Sequence, residues 1–73
     1  MPKLPRISGK DAVKALAKNG FEFRRQVGSH MIIKRKSDGK RISVPNHSEL
    51  PNGTLRAIIR EADLTVEEFI KLL

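Results

Sequence analysis

Between Asp11 and Lys18 apolar side chains recur at helical spacing, with Val13, Leu16 and Ala17 at i, i+3 and i+4 and with Lys10, Lys14 and Lys18 on another face. Ser8, with Asp11 three residues on, has the form of an N-terminal cap, and Asn19-Gly20 supplies a left-handed stop. These signals predict a first helix over about residues 9–19. At Phe21 the period changes to two. Phe21 and Phe23 alternate with Glu22, Arg24 and Gln26, which predicts a strand to about Val27 with one buried face. Gly28-Ser29 interrupts it, and His30-Met31-Ile32-Ile33-Lys34-Arg35 resumes a strand. The Asp38-Gly39 pair within Ser37–Lys40 favours a tight hairpin into a third strand from Arg41 to Val44, ended by Pro45.

A loop of turn formers follows (Pro45-Asn46-His47-Ser48, then Pro51-Asn52-Gly53). Leu55, Ile58, Ile59 and Ala62 then fall on one helical stripe. Thr65 and Glu68 have the spacing of a capping box, and Val66, Phe69, Ile70 and Leu73 repeat as the apolar face of a short C-terminal helix. The order is therefore helix, three-stranded antiparallel meander, helix, short helix: an α+β fold with its helices on one sheet face. One domain is expected over residues 1–73, with its core over about 8–73 and only the first few residues free to fray.

The other sheet face stays open, and parity says what it carries. If Phe21, Phe23, Ile42 and Val44 point to the helices, Arg24, Gln26, Arg41 and Ser43 turn outward. On the second strand Met31 and Ile33 join the core under this parity, leaving Ile32 outside among His30, Lys34 and Lys36.

Charge sharpens the picture. Fifteen Lys and Arg against eight Asp and Glu give a net charge of +7. The excess is concentrated, with twelve basic and three acidic residues in 1–41 against three basic and five acidic in 42–73. A polyanion is the partner class such a face suits, although lysines on a small protein also serve solubility alone. Without cysteine, no disulfide or cysteine-based zinc site reinforces the core, which fits a reducing compartment. No apolar run reaches the roughly 20 residues of a membrane span, and Met1–Arg6 lacks the apolar stretch of a signal peptide. A soluble cytoplasmic protein is expected, with no membrane contact and no cofactor.

The run Arg25-Gln26-Val27-Gly28-Ser29-His30, the apolar strand and Asp-Gly hairpin after it, Val44-Pro45-Asn46-His47-Ser48, and Gly53-Thr54-Leu55-Arg56-Ala57-Ile58 together resemble the HicA toxin family over nearly the whole chain. The resemblance implies a fold similar to double-stranded RNA-binding domains. It further implies a metal-independent endoribonuclease, an mRNA interferase that cleaves mRNA and inhibits translation, and a HicB-type antitoxin that covers the active site.

His30 matches the family's catalytic histidine. An imidazole, with an ordinary pKa of about 6.5, can both accept and donate a proton near neutral pH. Against this, a lone strand histidine taken by itself is more often structural or merely exposed. Gly28 permits a tight turn or the close approach of a phosphate, and Ser29 can donate to a phosphate or bond its own turn. Arg24, Lys34, Lys36 and Arg41 are the basic side chains that parity favours as neighbours of His30, ahead of Arg25 and Arg35, and they form the candidate RNA-binding set with Gly28 and Ser29. Singly, each basic residue is more often a solvated side chain than a specific contact, and the set carries more weight than any member. His47, in the loop before the second helix, reads as structural, unless the folded loop brings it beside His30 to share the proton transfers. No metal-ligating set is expected. The competing reading is a non-catalytic RNA-binding module with the same basic face; a third makes Ile32 or the C-terminal helix part of a protein interface.

Overall fold

The computed structural model describes residues 3–73. Its elements are α1 (Gly9–Ala17), β1 (Phe21–Val27), β2 (His30–Arg35), β3 (Arg41–Pro45), α2 (Asn52–Glu61) and α3 (Val66–Ile70). The strands form one antiparallel sheet in the order β1-β2-β3. The architecture is thus the α+β meander that the patterning predicts, and the helix–three strands–helix order is that of double-stranded RNA-binding domains.

Both predicted caps form. The Ser8 hydroxyl accepts from the Asp11 N–H at 3.1 Å, and the Asp11 carboxylate accepts from the Ser8 N–H. Thr65 and Glu68 make the same reciprocal pair at the start of α3. Each cap satisfies backbone donors that a helix start leaves free, worth about 1 kcal/mol.

The core lies between the helices and one sheet face: Ala12, Ala15 and Leu16 of α1, Phe21, Met31, Ile33, Ile42 and Val44 of the sheet, Leu50, then Leu55, Ile58, Ile59 and Ala62, and Phe69 of α3. Several expectations are corrected here. Helix α1 stops at Ala17, two residues early, and buries Ala12 and Ala15 beside Leu16, while Val13 is half-buried and Ala17 exposed. Two alanines face the sheet because α1 lies close to it. Phe23 shares the core-facing side of β1 with Phe21 yet is 52% exposed, since β1 is an edge strand and Phe23 lies beyond the helical cover. Leu73 is also exposed, and Leu72 packs against the core in its place. The chain before α1 is tied down: Leu4 and Ile7 pack on the core, and the Ile7 carbonyl accepts from the Leu50 N–H at 2.9 Å. For Met1 and Pro2 the expected fraying lies outside the described residues.

Helix α1 meets the sheet at its first residue. The Gly9 N–H donates to the His47 carbonyl at 2.9 Å, and a β-carbon on Gly9 would stand 2.0 Å from the Pro45 carbonyl oxygen. Only a residue without a side chain allows this approach.

At the opposite end, Arg35 joins the β2–β3 hairpin to the end of α2. Its guanidinium contacts both Asp38 oxygens at 2.9 and 2.6 Å and Asp63 at 2.9 Å, donates to the Ala62 carbonyl, and lies over the Phe21 ring. Asp63 ends α2 in the left-handed region (φ 61), with Asp63 and Leu64 N–H groups closing onto the Arg60 and Ile59 carbonyls. An aspartate stands where glycine is usual, which keeps a carboxylate in reach of Arg35.

Its hydrogen bonds with Arg35, then the Lys40 N–H, hold the Asp38 carboxyl below its ordinary value of 3.8. A depressed folded-state pKa contributes stability above the ordinary value that is lost as pH falls through the folded one. The melting temperature is therefore expected to hold above about pH 5 and to fall steadily in stronger acid. Asp38→Asn should melt lower at neutral pH with a shallower acid decline, which thermal unfolding followed by circular dichroism across pH will check. An Asp38→Asn curve superimposable on wild type would remove the clamp from the account.

Candidate functional site: the open sheet face

The cross-strand register sets three ranks of side chains on the face away from the helices. Val27, His30 and Pro45 pair across one end, Arg25, Ile32 and Ser43 across the middle, and Glu22, Lys34 and Arg41 toward the other end. His30 is exposed, and Ile32 is half-buried while Met31 and Ile33 are buried. The parity expected for β2 is therefore the observed one.

On β1 that parity breaks. The register shifts between Phe23, paired with Ile33, and Arg25, paired with Ile32, so Arg24 is an extra residue in a β-bulge. Beyond the bulge the faces exchange. Arg25 joins the open face, contrary to the expectation that ranked it behind its neighbours, and Gln26 leaves it to pair with Met31. Arg24 stays on the open side, where its guanidinium meets Glu22 at 2.6 Å. That contact, first among its causes, holds the Glu22 carboxyl below its ordinary range.

Having changed faces, Gln26 braces the turn that carries His30. Its side-chain N–H donates to the Gly28 carbonyl at 2.9 Å, and its oxygen accepts from the Asn46 side chain at 3.2 Å. The Asn46 N–H in turn donates to the Ser29 carbonyl at 2.7 Å. Gly28 stands at φ 60 as the first residue of the two-residue loop between Val27 and His30, the position where a tight hairpin calls for glycine. The Gln26–Asn46 brace escaped the sequence reading, because only the bulge brings these two amides to one side.

The other nominated residues divide. Arg41 lies on the face with His30, and a depression runs between them, lined by His30 and Val27, then Arg25, Ile32 and Ser43, then Arg41. That lining carries no carboxylate. Lys34 is on the same face, four residues along β2 from His30, about 13 Å at strand rise, and leans over Gly39 of the hairpin. Lys36 is not brought to His30. It lies past the end of β2, roughly 20 Å along the strand direction from that level, within 3.7 Å of Glu22. Arg35 faces the helices and is occupied by Asp38 and Asp63, and the Lys40 ammonium approaches Asp63. His47 is exposed in the loop two residues beyond Pro45, the partner of His30; its carbonyl accepts from Gly9, and its ring makes no hydrogen bond among the described residues. The structural role expected of its imidazole thus falls to its backbone.

The class so defined is an α+β protein of double-stranded RNA-binding-domain order whose open face presents one histidine among arginines. The family model described as "HicA toxin of bacterial toxin-antitoxin" matches residues 9–64. The chain belongs to the HicA toxin family, and as a toxin of a toxin–antitoxin system it has an antitoxin for a partner. No curated protein gives a significant match. Among the described residues no helix is long and apolar enough to cross a membrane.

Proposed function

We propose that this toxin is a metal-independent endoribonuclease that cleaves mRNA and so inhibits translation, with His30 as its general acid–base group. The observation that carries the reading is the placement of His30, exposed at the end of an open sheet face shared with Arg25, Arg41 and Lys34. Cleavage by transesterification needs little more. The ribose 2′-hydroxyl gives up a proton as its oxygen bonds to the adjacent phosphorus, the bond from phosphorus to the 5′-oxygen breaks, and that oxygen takes a proton. The new ends are a 2′,3′-cyclic phosphate and a 5′-hydroxyl. His30 can remove the first proton or supply the second, a role worth typically about 10² to 10⁴ in rate. Arginines on the same face hold the RNA backbone and, from the neighbouring rank, favour the negative charge that grows at the reacting phosphate.

A HicB-type antitoxin silences this site by covering the His30 face, and acidic side chains on it complement the arginines. A non-catalytic RNA-binding module would use the same basic face but has no need of the imidazole.

The test is incubation of the purified chain with single-stranded RNA in excess EDTA, with mapping of the new ends. Expected are fragments ending in 2′,3′-cyclic phosphate at the rate seen without chelator. Loss of cleavage in EDTA would overturn metal independence, and RNA bound but uncut under both conditions would favour the binding module.

A further inference from the structure

Next to the His30 depression the open face holds a second, more enclosed hollow of about 240 Å³, lined by Arg24, Arg25, Arg41 and Ile32. Three arginines line it because of the bulge, which sets Arg24 and Arg25, consecutive in the chain, on one side of an edge strand. Arg41 comes from the opposite edge, β3. Ile32, half-buried between them on the central strand, forms an apolar floor, and apolar surroundings strengthen charge interactions. Arg24 is steadied by Glu22, while Arg25 and Arg41 make no ion pair among the described residues. An arginine cluster on an apolar floor suits a phosphate, whose oxygens accept paired guanidinium donors.

Its distance from His30 gives the hollow a meaning. The Arg25–Ile32 rank is two residues along β2 from the His30 rank, about 7 Å at strand rise. That is comparable with the separation of neighbouring phosphates along an extended nucleic-acid strand. We infer that Arg24, Arg25 and Arg41 form a phosphate subsite that holds the phosphate next to the scissile one, so that the substrate is a single strand laid along β2 with at least one phosphate flanking the cut. This rests on the proposed ribonuclease reading for the cut itself, while the anion site can be tested without it.

Two measurements separate the failures. Titration of the folded chain with inorganic phosphate, followed through arginine side-chain N–H resonances, is expected to give saturable shifts at Arg24, Arg25 and Arg41. These shifts should persist in His30→Ala and vanish in the double variant Arg24→Gln/Arg41→Gln. Absent or non-saturating shifts at these arginines overturn the subsite whether or not RNA is cut.

For cleavage, a ribodinucleotide is compared with the same dinucleotide carrying a terminal 5′- or 3′-phosphate. In wild type one of the two phosphorylated forms should gain roughly tenfold in kcat/KM, the scale of a charge-assisted hydrogen bond, and Arg24→Gln should bring that ratio close to one. An equal gain in Arg24→Gln, or none in wild type, overturns the assignment. No cleavage of any substrate by wild type, with saturable phosphate shifts intact, would instead sink the ribonuclease reading and leave the anion site standing.

Discussion

His30→Ala is expected to lower RNA cleavage by about 10² to 10⁴ and to abolish growth arrest in a bacterial host, while the protein stays folded and still binds RNA. The size follows from the proposed role, since a positioned general acid–base group typically contributes that much to a rate. The survival of the fold follows from position. His30 begins β2 on the solvent side, takes no part in the core, and is positioned by backbone pairing with Val27 and Pro45 that alanine can make equally. Surface substitutions of this kind usually change stability by no more than about 0.5 kcal/mol. Controlled expression of wild type and variant, with growth and a reporter mRNA followed together, reads the result. Arrest and fragmentation by wild type alone support the role. If both chains arrest growth equally, the imidazole is not the agent and the mechanism fails; if neither does so, the binding-module reading gains.

The order of elements could be read in the chain because each change of period coincides with a chemical stop. Gly20 separates the helical stripe of α1 from the alternation of β1, Gly28-Ser29 and Asp38-Gly39 separate the strands, and Thr65 restarts a helix after Asp63. The core of α2 was fully legible, all four of its stripe residues being buried. What failed were distinctions that depend on how closely elements approach. A pattern of Val13, Leu16 and Ala17 fits an apolar face as well as Ala12, Ala15 and Leu16 does. The second set wins because α1 lies tight on the sheet, where alanines fit and valine does not.

The candidate site divides along the same line. His30 was placed correctly because β2 keeps strict alternation between two core residues, Met31 and Ile33. The flank on β1 departs from simple alternation because Arg24-Arg25-Gln26 is polar on either face and gives no sign of an inserted residue; its one apolar consequence is Val27, carried past the bulge to the open face and left exposed. One bulge puts Arg25 on the open face and sends Gln26 behind it to brace the Gly28-Ser29 turn. The excess of basic residues in the first half of the chain does not separate Arg35, which is spent on Asp38 and Asp63, from Arg25, which is not. Composition sees charge, and only the fold sees which charges are already neutralised.

The largest stability effect is expected at a residue with no chemistry at all. Gly9→Ala would place a β-carbon 2.0 Å from the Pro45 carbonyl oxygen and 3.1 Å from the Met31 side-chain methyl. Met31 can yield, but Pro45 is backbone at the end of β3, paired with His30. Helix α1 must therefore move off the sheet by more than an ångström, stretching the Gly9 N–H to His47 carbonyl bond and opening the contact that buries Ala12. Overpacking in a tight interface costs about 1–3 kcal/mol. With the hydrogen bond compromised, the upper end of that range is expected even after the roughly 1 kcal/mol by which alanine favours a helix interior over glycine. For a domain of this size that lowers the melting temperature by about 10 °C or more. Gly53, also in the first turn of a helix, supplies the control, for nothing lies within 4 Å of its would-be β-carbon. Gly53→Ala should raise the melting temperature slightly, so one substitution in two helix starts has opposite signs. Cleavage by Gly9→Ala should also fall below wild type at temperatures where it is still folded, since Pro45 aligns the strand end on which His30 stands. A Gly9→Ala protein as stable as wild type would mean that α1 and β3 are not held in this contact in solution.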